Sequence, residues 1–133
     1  NDSMGDYVAN QVVKLMLKKG IQVLNSNILI LGFTFKENCP DVRNTKVYDI
    51  VESLQEYNLN ITICDPWANA ATVNREYGLD IVNDLPNAKF DAVILAVGHE
   101  KFRGLNFENI FHEKHVIFDV KGFLPKEMVD ARL

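Results

Sequence analysis

The sequence predicts an open α/β domain, a parallel sheet with helices on both faces. Three observations carry that prediction. Short apolar runs of strand length alternate with segments whose apolar residues recur at helical spacing. The runs Ile28–Leu31 and Ala92–Val97 are apolar throughout, as strands covered on both faces are. The chain has 133 residues, 47% of them hydrophobic and 24% charged, which suits one domain with a proper core.

The elements follow in order. Met4, Val8, Val12 and Leu15 mark a first helix, with Asn1, Asp2 or Ser3 as its cap and Gly20 as its stop. Ile28–Leu31 is the first strand, closed by Gly32. A long loop runs from Gly32 to Thr45. A helix from about Asn44 or Thr45 to Tyr57 follows, with Val47, Ile50, Val51 and Leu54 on its apolar face. Ile61–Cys64 is the second strand, ended by Asp65-Pro66, and a helix from Asn69 to Tyr77 stops at Gly78. Leu79–Val82 reads as a short strand, Ala92–Val97 as the clearest central one. A helical stretch at Phe107–Phe111, a strand at Val116–Val120 and a short helix opened by Pro125 complete the series. The result is a three-layer α/β/α, Rossmann-like domain with right-handed crossovers. The one boundary is at Gly20 to Asn27, so residues 1–20 are assigned to a neighbouring domain and 21–133 to this one.

Composition excludes several functions. A net charge of -4 leaves no bulk field for DNA or RNA. No apolar run approaches the roughly 20 residues that span a bilayer, and no leader opens the chain, so a cytoplasmic location is expected. Cys39 and Cys64 match no zinc spacing. Cys64 reads as a small core residue. Cys39 lies in the long loop, and no histidine near it in sequence supports a nucleophilic role.

Ligands of open α/β sheets bind beyond the carboxyl ends of the strands. Four segments fall there: the Gly32–Thr45 loop, Asp65-Pro66, Gly98-His99-Glu100 and Lys121-Gly122. The first loop exceeds the usual connection of about two to six residues. It carries Lys36 and Arg43 around Asp41, with Arg43 beside the expected helix start. Helix amides, a guanidinium fork and a lysine together make a phosphate cradle in which Asp41 orients a base. The competing reading is a solvated lysine and arginine of little energetic weight. Gly32-Phe33-Thr34 lacks the G-x-G-x-x-G of a dinucleotide fingerprint, and no P-loop is present. Asp65 stands where a ribose-binding acid would be, but reads more simply as a turn former. His99 and Glu100 are open to an acid–base role, with exposed loop polarity the favoured reading. His112 and His115 fall at the other end of the sheet and receive no role.

At this loop a resemblance emerges. Ile28 to Val47 is similar to the start of the UDP-binding domain of the UDP-glucose/GDP-mannose dehydrogenase family, in which a strand and a Gly lead to Phe-Lys, four residues, then Asp-x-Arg. Here those are Phe35-Lys36 and Asp41-Val42-Arg43. Asp65-Pro66 and Phe118-Asp119-x-Lys121 agree, and the likeness covers essentially the whole chain. The residues from Phe35 to Thr45 resemble the branch that oxidises UDP-N-acetylhexosamines for capsule or O-antigen polysaccharide.

The resemblance implies an NAD-dependent enzyme that oxidises the sugar C6 alcohol twice, to the acid. It implies that Phe35, Lys36 and Lys121 contact the UDP-sugar, and that Arg43, held by Asp41, faces the cofactor. NAD would be bound mainly by an N-terminal domain outside these residues, which would also carry the catalytic groups. This chain alone would then be inactive, and residues 1–20 would be the tail helix of a central domain through which the family is usually dimeric. Where family members often have an Arg pair, this chain has Lys121-Gly122, losing the second cation. Two other classes stay open. A signalling receiver would need acids after the first strand, where Gly32-Phe33-Thr34 has none. A non-catalytic assembly module would use the loop only for packing.

Overall fold

The computed structural model describes residues 2–133, with side chains from Met4 onward. The caps expected at Asn1, Asp2 and Ser3 lie outside the described residues and side chains. Six strands, β1 (Asn27–Leu31), β2 (Asn60–Cys64), β3 (Ile81–Val82), β4 (Phe90–Leu95), β5 (Phe111–Asp119) and β6 (Ala131–Arg132), form one sheet. Its order is β3-β2-β1-β4-β5-β6 and every neighbouring pair is parallel. This is the doubly wound strand order.

Residue alternation along β1 explains its central place. Ile28 and Ile30 turn to one face, Leu29 and Leu31 to the other, and all four are fully buried. The first face is covered by α1 (Asp2–Lys18), α2 (Val47–Gln55) and α3 (Ala70–Tyr77), through Val12 and Met16, Ile50 and Leu54, and Val73. On the second face lie the 3₁₀ helices Glu100–Gly104 and Phe107–Asn109, which pack Phe102 and Phe107 onto Val93 and Ile117. The third layer is thus built of short 3₁₀ turns.

α1 lies tightly against α2. A Cβ on Gly5 would sit 2.6 Å from the Asp49 carbonyl carbon, so only glycine allows the approach. Ser53 Oγ donates to Asp6 Oδ1 and Tyr57 Oη to Asn10 Oδ1, each at 2.6 Å. Val8, Ala9, Val12 and Met16 are fully buried in the same core as β1 and β4.

Several boundaries differ from expectation for local reasons. β4 ends at Leu95, because the amides of Ala96 and Val97 both turn to the Leu31 carbonyl at 2.9 and 3.2 Å. α2 starts at Val47, whose amide donates to Thr45 Oγ1 at 3.1 Å. The stretch predicted helical at Phe107–Phe111 is a 3₁₀ turn, and Phe111 already opens β5, pairing with Phe90. β6 has two residues, too few for a periodic signal. α3 matches its signals: Asn69 Oδ1 accepts from the Thr72 amide, and Gly78 ends the helix in the left-handed region.

Candidate functional site

The carboxyl ends of the central strands are in register. Leu31 pairs with Cys64 and with Leu95, and Leu95 with Asp119, so the following loops leave side by side. Strand order reverses between β1 and β4, where ligands of such sheets bind.

Gly32 begins the long loop at φ +99°, and a Cβ there would lie 2.5 Å from Val97 Cβ. The chain can turn out of β1 against the β4 exit only with glycine. Its amide still reaches the Cys64 carbonyl at 2.8 Å.

The next residues are held by Asp65. This carboxylate is fully buried and accepts five hydrogen bonds. Oδ2 takes the Phe33 amide at 2.6 Å, the Thr34 amide at 3.0 Å and His99 Nε2 at 2.9 Å. Oδ1 takes the amides of Trp67 at 2.7 Å and Ala68 at 3.0 Å. Burial pushes the Asp65 carboxyl up, but the bonds from His99, Phe33 and Trp67 outweigh it and hold it below its ordinary value. Asp65 therefore does more than form a turn, and its saturated oxygens are closed to a ribose.

His99 overturns the reading of exposed loop polarity, for it is fully buried. The turn at Gly98 folds the ring inward, against Phe102 with centroids 5.5 Å apart. Nδ1 accepts the Asn38 amide at 2.9 Å, so the ring proton is on Nε2 and points to Asp65 Oδ2 and, at 3.1 Å, to Thr34 Oγ1. The Thr34 hydroxyl donates to the Lys36 carbonyl at 2.9 Å, and Asn38 Oδ1 accepts the Glu100 amide at 2.9 Å. Glu100 is exposed and pairs with Arg103 at 2.7 Å, so no acid–base couple forms with His99.

Phe35 and Lys36 project from this frame. Both are exposed, Phe35 at 49%, and the Phe35 amide donates to the Asp41 carbonyl at 2.7 Å, closing the loop on itself. Asp41 and Arg43 clasp each other: Nε to Oδ1 at 3.0 Å, Nη2 to Oδ2 at 3.1 Å, and the Arg43 amide to Oδ1 at 2.9 Å. The Arg43 side chain, then its amide, holds the Asp41 carboxyl below its usual value. The Arg43 side chain remains 85% exposed. It does not adjoin the helix start as expected. Asn44 turns the chain with φ +59° and α2 opens only at Val47, so the guanidinium is set by Asp41 and not by the helix amides.

Lys121 follows Asp119, which is fully buried and accepts the amides of Lys121 at 3.1 Å and Leu124 at 2.7 Å. Lys121 lines two depressions. One, of about 160 Å³, runs along Thr34, Phe35, Val97 and Val120. The other, of about 470 Å³, lies between Asn38, Gly98, Arg103 and Phe123. Phe35 and Lys121 thus share one groove, while Asp41 and Arg43 stand apart as a pair. Sequence reasoning missed the Thr34–Asn38–His99 linkage. Its only signal was a polar residue closing each of two adjacent strands.

This arrangement defines a doubly wound parallel α/β domain whose loops gather at the strand-order reversal. The comparisons narrow the class. Residues 29–126 match the UDP-glucose/GDP-mannose dehydrogenase family, UDP binding domain, and the chain belongs to that family. It is 49% identical over 136 residues to a UDP-N-acetyl-D-glucosamine 6-dehydrogenase of Salmonella typhi, covering 100% of this chain and 32% of that protein. It is 39% identical over 133 residues to Protein CapL of Staphylococcus aureus, covering 98% of this chain and 31% of that protein. The chain therefore spans about a third of the length of these curated relatives. Among solved structures, an NDP-N-acetyl-D-galactosaminuronic acid dehydrogenase from Methanosarcina mazei shares the fold, with a TM-score of 0.83 at 20% identity. It aligns over 96% of this chain and 27% of its own.

Proposed function

We propose that this chain is the UDP-binding portion of an NAD-dependent dehydrogenase that oxidises C6 of a UDP-N-acetylhexosamine for capsule or O-antigen polysaccharide. The observation that carries the proposal is the rigid loop from Gly32 to Arg43. Its Phe35 lines one groove with Lys121, Lys36 is exposed next to Phe35 in the chain, and Asp41 and Arg43 pair with each other outside that groove. Relatives named as UDP-N-acetyl-D-glucosamine 6-dehydrogenases support the sugar class, and the capsule assignment leans on the likeness to CapL.

In this reading Lys36 and Lys121 meet the diphosphate or sugar as point charges, and Phe35 forms the wall of the pocket. Arg43, kept extended by Asp41, faces the cofactor from across a cleft. The residues here do not fit a dinucleotide site of their own. Gly32-Phe33-Thr34 lacks the glycines that let a pyrophosphate approach, and Asp65 has no oxygen free for a ribose. NAD is therefore assigned to another domain of a longer, homodimeric, cytoplasmic enzyme, together with the catalytic groups. The contribution of this chain is binding and orientation.

Calorimetric titration with UDP, UDP-N-acetylglucosamine and GDP tests the reading. The uridine ligands should bind and GDP more weakly, and Lys36→Ala should cost about tenfold in affinity, as for loss of one charge-assisted hydrogen bond. Absence of uridine-nucleotide binding by the wild-type chain would favour the packing role instead. Sustained NADH production by this chain alone would refute its assignment as a non-catalytic part.

A further inference from the structure

We propose that His99 is a positioning residue for nucleotide-sugar binding: its neutral ring pins the Lys36 loop at both ends, so the binding loop is ordered only while Nδ1 is free to accept. The proposal rests on the UDP-sugar reading of Phe35 and Lys36 given above.

The geometry is specific. Phe35 and Lys36 lie between Thr34 and Asn38, and the ring touches both of those residues. On the Thr34 side, Nε2–H reaches Asp65 Oδ2 and Thr34 Oγ1, and the Thr34 hydroxyl in turn holds the Lys36 carbonyl. On the Asn38 side, Nδ1 accepts the backbone amide, while Asn38 Oδ1 accepts from Glu100, so two bonds run in opposite directions between the loop and the β4 exit. Asn38 adopts φ +56°, a left-handed turn that asparagine tolerates better than most residues. The ring is fully buried, so water offers little replacement for a lost bond.

Protonation would turn Nδ1 into a donor facing the Asn38 N–H, and two opposed donors cannot share that contact. Among the ionisable groups nearby, Asp65 at the end of β2 touches the ring. Lys36 and Glu37 in the loop and Glu100 and Lys101 in the adjoining 3₁₀ helix are exposed, and Asp119 at the end of β5 bonds to Lys121 and Leu124.

Two substitutions separate the ends. In His99→Gln the longer amide reaches toward Asp65, but the acceptor at the Nδ1 position is gone. In His99→Asn the shorter amide oxygen falls near the Nδ1 position and can accept from Asn38, while Asp65 Oδ2 keeps the Phe33 and Thr34 amides. UDP-N-acetylglucosamine is the probe, because its diphosphate is esterified at both ends and does not titrate near neutrality. His99→Gln should lose about tenfold in affinity, on the scale of one buried hydrogen bond lost, and expose the Asn38 amide to hydrogen exchange while β1 and β4 amides stay protected. His99→Asn should recover most of the affinity.

If His99→Gln binds as wild type while Lys36→Ala binds more weakly, the positioning role is overturned and the UDP reading stands. If the wild-type chain binds no UDP-sugar, both fall. Should His99→Gln fail to fold, a wild-type Asn38 amide that exchanges as fast as an unbonded, exposed loop amide would still overturn the proposal.

Discussion

Asp65 Oδ2 accepts the Phe33 amide at 2.6 Å, so the carboxylate that ends β2 fixes the loop that leaves the neighbouring strand. The same oxygen takes Thr34 and His99, so one side chain joins the exits of β1, β2 and β4. Asp119 does the same for its own loop alone. The loops at this end of the sheet are therefore anchored to buried strand-end carboxylates.

Replacing that carboxylate should be costly. Asp65→Asn removes the charge and turns an NH₂ group toward amide donors on one side, a loss of about 2–4 kcal/mol in urea unfolding. The pH dependence has a defined sign. The folded Asp65 carboxyl is held below the ordinary 3.8 of an aspartate, so its contribution is present above that value and fades as pH falls through the lower folded one. Acid unfolding of wild type should thus converge on that of Asp65→Asn at low pH. A stability gap that persists unchanged into strong acid would contradict the ionised assignment.

Gly32→Ala should destabilise the chain by about 1–3 kcal/mol from backbone strain alone, with the clash added. The new Cβ would meet Val97 Cβ at 2.5 Å and the Val97 amide nitrogen at 2.8 Å. Since alanine retains both atoms, Val97→Ala should not rescue it. Thermal unfolding of the single and double variants checks this.

The two thiols should differ sharply. Burial, then the charges of Asp65 and Asp84, pushes the Cys64 thiol up to about 11, and the side chain lies in the second-face core. Cys39 is half-buried in the loop. A maleimide should label Cys39 in the native chain and reach Cys64 only after denaturation. Mass spectrometry of the digested adduct reads the site, and prompt native labelling of Cys64 would contradict the packing.

Arg43→Ala should leave UDP affinity and the unfolding midpoint of this chain unchanged, because among the described residues the exposed guanidinium hydrogen-bonds only to Asp41. In the longer enzyme proposed above, the same change should raise KM for NAD and leave KM for the UDP-sugar near wild type. A lowered UDP affinity in the isolated chain would place Arg43 in the substrate site.

The elements read most easily were those whose own residues suffice. β1, α2 and α3 each carry a local pattern: a doubly buried run, an i, i+3, i+4, i+7 stripe, an Asn cap with a closing Gly. The Phe35-Lys36 to Asp41-x-Arg43 spacing also lies in one stretch of chain, and its Asp41–Arg43 clasp is local. The 3₁₀ helix Glu100–Gly104 and β6 were not legible. The first is stabilised by packing Phe102 into the second core, the second by pairing along β5.

Sequence by itself determined the doubly wound class, the position of the loop after β1 and the residues on its outer edge, because these follow from periodicity and spacing within short segments. Tertiary structure alone decided what anchors that loop. Asp65 and His99 are distant in the chain from Thr34 and Asn38 and from each other, and each polar side chain read singly favours solvent. Parallel register brings the ends of β1, β2 and β4 side by side. Burial there removes water as a partner, and hydrogen bonding to one another satisfies the groups left inside.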